Sequence, residues 1–205
     1  MVKGEYRRFY QAILRELPKD NIIIDLLQKT AIGADASFYK LVPQIIVDVT
    51  SEKQVGIVLR EARKRKLPVT FRAAGTSLSG QSISDSILIR MGRGWDGFHI
   101  YDKARLIQLQ PGIIGGNANR HLAAFGRKIG PDPASIDSAK IGGILANNSS
   151  GMCCGIEQNS YQTIESMRLV LVDGTVVDTS DDLSVANFRK TRADLLNGLT
   201  ELRRR

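Results

Sequence analysis

The stretch FRAAGTSLSGQ, residues 71–81, places a loop of small and polar residues directly after a predicted β-strand. Successive backbone N–H groups in such a loop form a concave site for anionic oxygens, and glycine lets the backbone approach a ligand closely. The hydroxyl groups of Thr76 and Ser77 add further donors. The stretch predicts a diphosphate-binding loop, with an ordinary turn as the alternative. It contains neither a G-x-G-x-x-G fingerprint nor a P-loop lysine, which argues against NAD-type and NTP-type binding.

A strand, helix, strand unit leads into this loop. Residues 45–47 predict a buried strand, and residues 69–71 predict the next one. Between them, Thr50 is the expected cap of a helix. The apolar residues of that helix recur at helical spacing, namely Val55, Val58, Leu59 and Ala62. We expect a right-handed parallel crossover with the loop at its carboxyl edge, where ligand sites gather in such sheets.

The flanking sequence predicts further helices and short strands. Residues 1–42 form a helical extension, with one helix over 6–17 that places Phe9, Ile13 and Leu17 on one face and a second over 22–27. The downstream elements expected are strands over 87–90, 98–101 and 106–110, a helix over 116–125 with a stripe of Ala118, His121, Leu122 and Phe125, and a hairpin over 166–177 turning at Asp173-Gly174. The predicted fold class is α+β, not doubly wound.

A second segment, residues 130–151, has the composition of a binding loop. Pro131 and Pro133 stiffen its start. The run from Ile141 to Gly151 offers many hydrogen-bonding groups and little side-chain bulk, which suits a flat polar ring such as a flavin. A long loop without such a role is the alternative, and it is uncommon inside a compact domain.

Several separated motifs together resemble one known family. In order they are residues 71–80, Gln110-Pro111-Gly112, Pro131-Asp132-Pro133, Ile141-Gly142-Gly143 and residues 147–151. They resemble the PCMH-type FAD-binding domain of the vanillyl-alcohol oxidase superfamily, and within it the D-lactate dehydrogenase and glycolate oxidase group. The resemblance implies an FAD-binding domain over 43–180 with two subdomains, one a small parallel sheet with helices and the other a larger, mainly antiparallel sheet with helices.

The resemblance also implies a set of cofactor-binding residues. The FAD pyrophosphate falls on the first loop (residues 72–81), and the ring on the second segment, with two weaker candidates toward the adenine end. The residues are Arg72, Ala73, Ala74, Gly75, Thr76, Ser77, Gly80 and Gln81, then Pro131, Pro133, Gly142, Gly143, Asn147, Ser150 and Gly151, and finally Ile164 and Val170. Many relatives have glycine at positions 73 and 74. Because alanine at positive φ costs about 1 kcal/mol or more, we expect negative φ at both.

In relatives the flavin accepts a hydride from a D-2-hydroxy acid of the D-lactate, glycolate or D-2-hydroxyglutarate class, and a second acceptor reoxidises it. The general base and the carboxylate-binding arginines come from later regions there, so we assign no catalytic residue. Residues 181–205 are expected to begin a truncated substrate or cap region, and the group includes large enzymes with a C-terminal iron–sulfur domain. A non-catalytic nucleotide- or FAD-binding module and an NADPH-dependent reductase of the same fold remain alternatives.

Charge and composition narrow the partners. The net charge of +8 is concentrated at residues 63–66, at a predicted helix end, and at residues 203–205, which favours solvated helix ends over a nucleic-acid surface. No apolar run is long enough to span a membrane. We therefore expect a cytoplasmic protein, with peripheral contact at the inner membrane face as an addition.

The two histidines, the two cysteines and the single tryptophan are read as structural residues. His99 and His121 are too few for a metal site, so none is assigned. Cys153 and Cys154 are expected to be buried thiols, with a flavin-linked role as the alternative. Trp95 is expected to pack against its neighbours.

Overall fold

The computed structural model describes residues 2–204, in which helices and strands alternate. The elements in chain order are α1 (Gly4–Ile13), β1 (Ile22–Ile23), α2 (Leu26–Ile32), β2 (Ile45–Val49), α3 (Glu52–Lys64), β3 (Val69–Arg72), β4 (Ile87–Met91), β5 (Phe98–Tyr101), β6 (Leu106–Leu109), α4 (Gly115–Leu122), α5 (Ile141–Ala146), α6 (Ser160–Thr163), β7 (Arg168–Val170), β8 (Val176–Asp178), α7 (Asp182–Thr191) and α8 (Ala193–Arg204). Short 3₁₀ turns cover Lys19–Asn21, Asp102–Ala104 and Ala123–Phe125.

The largest sheet has four strands in the order β1-β2-β4-β3. Strands β2 and β3 both run parallel to β4, which lies between them, and β1 is antiparallel to β2 at the edge. The apolar runs of β2 and β4 are almost completely buried, as expected for strands covered on both faces. The predicted strands and the helix between them are confirmed, and Val55, Val58, Leu59 and Ala62 of α3 are buried in the core.

Helix α1 joins the same core. Phe9 and Ile13 have no exposed surface, and Leu17, in the turn after the helix, is also buried. All three belong to one cluster with Ile45, Val47 and Ile89, so the predicted apolar face is confirmed although the helix ends at Ile13.

Two local predictions are wrong. Residues 22–27 do not form one helix: Ile22 and Ile23 pair with Val47 and Ile46, and α2 begins only at Leu26, after Asp25 accepts a hydrogen bond from the Gln28 amide at 2.9 Å. The free edge of β2 offers these β-branched residues a strand partner that local spacing does not reveal.

The cap of α3 is Ser51, not Thr50. The Ser51 hydroxyl accepts a bond from the Gln54 amide at 3.4 Å. The Thr50 amide instead donates to Gln54 Oε1 at 2.8 Å, so the two ends of the first turn satisfy each other as in a capping box.

The prediction of a larger, mainly antiparallel sheet is also wrong. In the described residues the antiparallel pairs β5-β6 and β7-β8 are separate two-stranded sheets, and the mixed sheet is the larger one. Strand β4 accounts for the difference, because this mostly apolar strand pairs with β2 and β3 instead of joining β5 and β6.

The helix predicted over 116–125 ends earlier. Helix α4 stops at Leu122, a 3₁₀ turn follows, and Gly126 ends it at φ +64°. Ala118 and Leu122 are buried as predicted. The change of helix type carries Phe125 off the apolar stripe, so it is 49% exposed, and the exposed His121 ring stacks on Phe98 at 3.8 Å.

The chain's two basic clusters lie at helix ends, as predicted. Helix α3 ends at Lys64, and both Lys64 and Arg65 form ion pairs with Glu61. Helix α8 closes the described chain with Leu195, Leu199 and Leu202 exposed, and Arg205 lies outside the described residues. None of the helices in residues 2–204 combines the length and the apolar character that crossing a bilayer requires.

The predicted hairpin is confirmed, with Asp173-Gly174 at its turn and Gly174 at φ +85°. One side chain fastens it to α3. Arg168 donates to both carboxylate oxygens of Glu52, at 2.6 and 2.8 Å, and to Asp178 at 2.7 Å. The hydrogen bond from Arg168 is the largest cause that lowers the pKa of Glu52.

We expect Arg168→Met to lower stability in a pH-dependent way. A carboxylate whose pKa is lowered on folding stabilises the fold above its unfolded pKa, and this contribution is lost as pH falls through the folded pKa. The urea midpoints of wild type and variant should therefore differ most above the ordinary Glu52 value of 4.5 and converge below it. Arg8→Met, which removes an exposed arginine paired with Glu5, is the control and should change little. A wild-type to Arg168→Met gap that stays constant with pH would contradict the assignment.

Candidate functional site

The carboxyl edge of the parallel sheet carries a row of charged side chains. Asp48 of β2 lies opposite Arg90 of β4, which lies opposite Arg72 of β3. Arg90 donates two hydrogen bonds to Asp48, from Nε and Nη2, both at 2.6 Å. These bonds raise the pKa of the Arg90 guanidinium against the effect of burial. The row therefore keeps fixed positive charge at the end of the sheet from which the first loop leaves.

Arg72 anchors the start of the first loop to the residues at the end of α2. Its Nη1 atom donates to the carbonyl oxygens of Ile32 at 3.0 Å and Ala34 at 2.8 Å. Burial lowers the pKa of Arg72, with the nearby Asp35 opposing that shift. A Cβ atom added at Gly75 would clash with the Arg72 guanidinium, so the backbone turns directly over this side chain. Arg72 thus acts within the fold as an anchor for the loop.

The backbone of the first loop has the conformation that its glycines allow. Gly75 and Gly80 have φ values of +79° and +72°. Neither Ala73 nor Ala74 is among the residues with positive φ, so the prediction of ordinary backbone at both alanines is confirmed. The loop reaches its turn through the glycines alone, which explains why alanine is tolerated at positions 73 and 74.

Three amide groups of the first loop have no acceptor among the described residues. The N–H groups of Gly75, Thr76 and Ser77 donate to no acceptor within residues 2–204. The Ser77 hydroxyl accepts from the amides of Ser79 and Gln81, both at 3.2 Å, and closes the turn behind them. Three consecutive amide donors beside a positive-φ glycine form the kind of concave site that binds anionic oxygens.

The second segment meets the first loop at a glycine. A Cβ atom added at Gly143, in α5, would lie 3.1 Å from the Cβ of Ala73. The neighbouring Gly142 donates to the carbonyl of Pro111 at 2.9 Å. The absence of a side chain at Gly143 lets α5 approach the loop, and its absence at Gly142 lets α5 approach Pro111. The structure therefore brings together the two glycine-rich segments that the sequence singles out.

The end of the second segment is held by Ser160 and Asp132. The buried Ser160 hydroxyl bonds to the carbonyls of Ser149 at 2.9 Å and Ile144 at 3.2 Å. Any side chain at Gly151 would clash with Asp132, which also accepts from the Cys154 amide at 3.2 Å. The remaining candidates differ in exposure: Pro131 is buried, Pro133 is half-buried, and Asn147 and Ser150 are exposed.

The two candidates for the adenine end lie elsewhere. Ile164 follows α6 and donates its amide to the Ser160 carbonyl at 3.1 Å, which closes the last turn of that helix. Val170 lies in β7 and packs, half-buried, against the main core. The hairpin thus fixes Val170 by its packing.

Sequence reasoning missed Lys140, which lies within the second segment directly before α5. Its Nζ atom donates to the carbonyl of Met91, the last residue of β4, at 2.9 Å. Burial lowers the pKa of Lys140, and the proximity of Arg90 lowers it further. Arg90 and Asp48 were missed as well, although a single charged residue within each otherwise apolar strand was a usable signal.

The tryptophan and the two cysteines, which were predicted to be structural residues, differ in their burial. Trp95 packs half-buried against the main core, as predicted. Cys154 is buried, but Cys153 is exposed, so the expectation of two buried thiols is wrong for Cys153. The turns that cover residues 152–158 point one thiol inward and leave its neighbour outside. No group of three histidine, cysteine or acidic side chains in residues 2–204 could hold a metal ion.

Comparison with known proteins gives a family match and several relatives. A family model described as an FAD binding domain matches residues 43–180. The chain is 26% identical over 155 residues to the D-2-hydroxyglutarate dehydrogenase of Pantoea ananatis, covering 74% of this chain and 15% of that protein. It is 26% identical over 204 residues to a mitochondrial D-lactate dehydrogenase (cytochrome) of Arabidopsis thaliana, covering 94% of this chain and 35% of that protein.

The fold has a counterpart among solved structures. An alkyldihydroxyacetonephosphate synthase superposes with a TM-score of 0.73 at 21% identity, over 89% of this chain and 38% of the synthase chain. This likeness concerns the fold. The chain spans 15%, 35% and 38% of the length of these three proteins, in the order given.

Proposed function

This chain belongs to the FAD binding domain family, and from that premise we propose that it holds FAD between its first loop and its second segment. The contact between Gly143 and Ala73 carries the proposal, because it joins the two segments into one site. The residues present fit the cofactor: a loop of amide donors suits the diphosphate, and a side-chain-free helix start suits a flat ring pressed against backbone.

The pyrophosphate is assigned to the first loop. The free amides of Gly75, Thr76 and Ser77 supply donors, with Ala73, Ala74, Gly80 and Gln81 shaping the turn. The half-buried Arg90 and Lys140 add positive charge nearby, although Asp48 neutralises part of it. Such charge favours an anionic ligand over its neutral analogues.

The isoalloxazine ring is assigned to the second segment, along Gly142, Gly143, Asn147, Ser150 and Gly151. The exposed Asn147 and Ser150 side chains offer hydrogen bonds to its polar edge, and Pro131 and Pro133 stiffen the approach. Ile164 and Val170 are proposed to lie toward the adenine end. FAD, when bound, supplies the capacity to accept a hydride, while this chain orients it and excludes water from one face.

We propose that the larger activity is oxidation of a D-2-hydroxy acid, with electrons passed on to a second acceptor. The relatives named as D-2-hydroxyglutarate and D-lactate dehydrogenases support this substrate class. We assign no catalytic base within the chain, and an iron–sulfur centre, where present, would lie in a region beyond these residues. The names of these relatives likewise favour the cofactor domain of an enzyme over a domain that binds nucleic acid.

Titration of the 205-residue chain with FAD tests the proposal. We expect saturable binding with quenched flavin fluorescence and shifted flavin absorption bands, because the ring leaves water for a structured protein surface. ADP should compete, since it carries the same diphosphate, whereas riboflavin, which lacks it, should compete poorly. Absence of saturable FAD binding at concentrations up to about 1 mM, equivalent to less than about 4 kcal/mol of binding energy, would reject the proposal.

A further inference from the structure

A short segment outside the family match is fastened to the first loop. Residues 33–41, here called the strap, close on themselves through a bridge between Ala34 and Lys40 and a hydrogen bond from the Leu41 amide to the Gly33 carbonyl at 2.9 Å. The match to the FAD binding domain begins only at residue 43. The strap therefore lies against the proposed diphosphate site without being part of the matched region.

Three independent contacts join the strap to the first loop. The Ala36 amide donates to the carbonyl of Gly75 at 3.0 Å. Arg72 holds the carbonyl of Ala34 from below. The ring of Tyr39 lies so close to Gly80 that an added Cβ atom there would be 3.0 Å from it. The strap thus contacts both positive-φ glycines of the first loop.

Asp35 is the centre of this connection. Its Oδ1 atom accepts from the amide and hydroxyl of Ser37, at 3.0 and 2.5 Å. Its Oδ2 atom accepts from the hydroxyl and amide of Ser82, at 3.0 and 3.4 Å. Ser82 is buried and directly follows the first loop. One carboxylate therefore ties the strap to the end of the loop whose beginning is anchored by Arg72.

The charge of Asp35 suits this role. Although burial opposes it, the hydrogen bonds from Ser37 and Ser82 lower the pKa of Asp35, so the carboxylate is ionised at neutral pH. Four donors converge on its two oxygens, and bonds to an ionised acceptor are stronger than those between neutral groups. Asparagine has one acceptor oxygen in place of two, so it can accept from the backbone amide of Ser37 or of Ser82 but not from both.

We infer that Asp35 is a positioning residue for the FAD diphosphate: by clasping Ser82 it fixes the first loop in the conformation that presents the amides of Gly75, Thr76 and Ser77. The inference rests on the proposed function. It extends the cofactor site to the strap, and it assigns Asp35 no contact with the cofactor. A loop held in its binding conformation before the ligand arrives binds more tightly, because less ordering accompanies binding.

FAD and ADP titrations of the 205-residue chain test the inference. Asp35→Asn and Ser82→Ala should each lower the affinity for both FAD and ADP by about tenfold. This is the effect of losing one hydrogen bond to a charged group. Ser82→Thr, which keeps the hydroxyl, should restore affinity. Asp85→Asn makes the same charge change as Asp35→Asn, at an exposed position three residues after Ser82. It is the matched control and should bind both ligands as wild type does.

The outcomes separate the inference from the proposed function. Titrations are run at a temperature well below each variant's thermal unfolding midpoint. The chain then stays folded, so a general loss of stability leaves the affinity unchanged. Wild-type affinity in Ser82→Ala and Asp35→Asn would overturn the inference and leave the proposed function standing. Failure of the wild-type chain to bind FAD would overturn both. If Asp35→Asn does not fold, the pair Ser82→Ala and Ser82→Thr decides.

Discussion

Gly75→Ala is expected to weaken FAD binding by at least about 100-fold, which corresponds to roughly 2.8 kcal/mol. Gly75 has a φ of +79°, a conformation that costs an alanine about 1–2 kcal/mol. The added Cβ atom would also meet the guanidinium of Arg72, which cannot move aside without losing its bonds to Ile32 and Ala34. The loop must therefore leave the conformation that presents its amides.

Gly126→Ala separates the two causes of that loss. Gly126 also has positive φ, at +64°, but an added Cβ atom there meets nothing within 4 Å. This variant should lose about 1 kcal/mol of stability and keep its FAD affinity within about twofold. Isothermal titration of both variants gives the comparison. Equal affinity in Gly75→Ala and wild type would mean that the first loop does not hold the diphosphate.

The sequence predicted the family and the parts of the fold that depend on local patterns. The resemblance to the FAD-binding domain is confirmed by the family match over residues 43–180. Strands β2, β3 and β4 and the Asp173-Gly174 hairpin were found because their apolar runs and turn residues are contiguous. Negative φ at Ala73 and Ala74 followed from the cost of the alternative.

The errors share a physical cause, namely partners that are distant in sequence. Ile22 and Ile23 form a strand because Val47 and Ile46 lie beside them, which helical spacing could not reveal. The strand predicted over 87–90 was not assigned to a sheet, and only its pairing with both β2 and β3 places it inside the parallel sheet.

The same limit applies to the site. Asp35 has a local signal, since an aspartate two residues before a serine favours a turn in which its side chain caps the backbone. Its contact with Ser82 spans 47 residues and has no local signal. Lys140 and the Asp48–Arg90 pair likewise acquire their meaning only when the strand ends and α5 meet. The glycines could be read from the sequence, but the long-range contacts of the side chains that support them could not.

Phe9→Ala is expected to lower the free energy of unfolding by about 3–5 kcal/mol, the range for emptying a buried phenylalanine site. Phe9 has no exposed surface and packs in one cluster with Ile45 and Ile89, although it lies 34 residues before the matched domain begins. The loss should appear as a lower urea midpoint with an unchanged slope, because α1 and the sheet would still unfold together.

Phe38→Ala is the matched control, because it removes the same side chain from the same N-terminal region. Phe38 is 91% exposed, so its removal should change stability by less than about 0.5 kcal/mol. If Phe9→Ala also changed stability by less than about 1 kcal/mol, α1 would not belong to the cooperative core. The expected contrast would instead mean that the N-terminal region stabilises the FAD site in two ways. Helix α1 would pack against the sheet, and the strap, which follows α1, would hold the first loop at the carboxyl edge of that sheet.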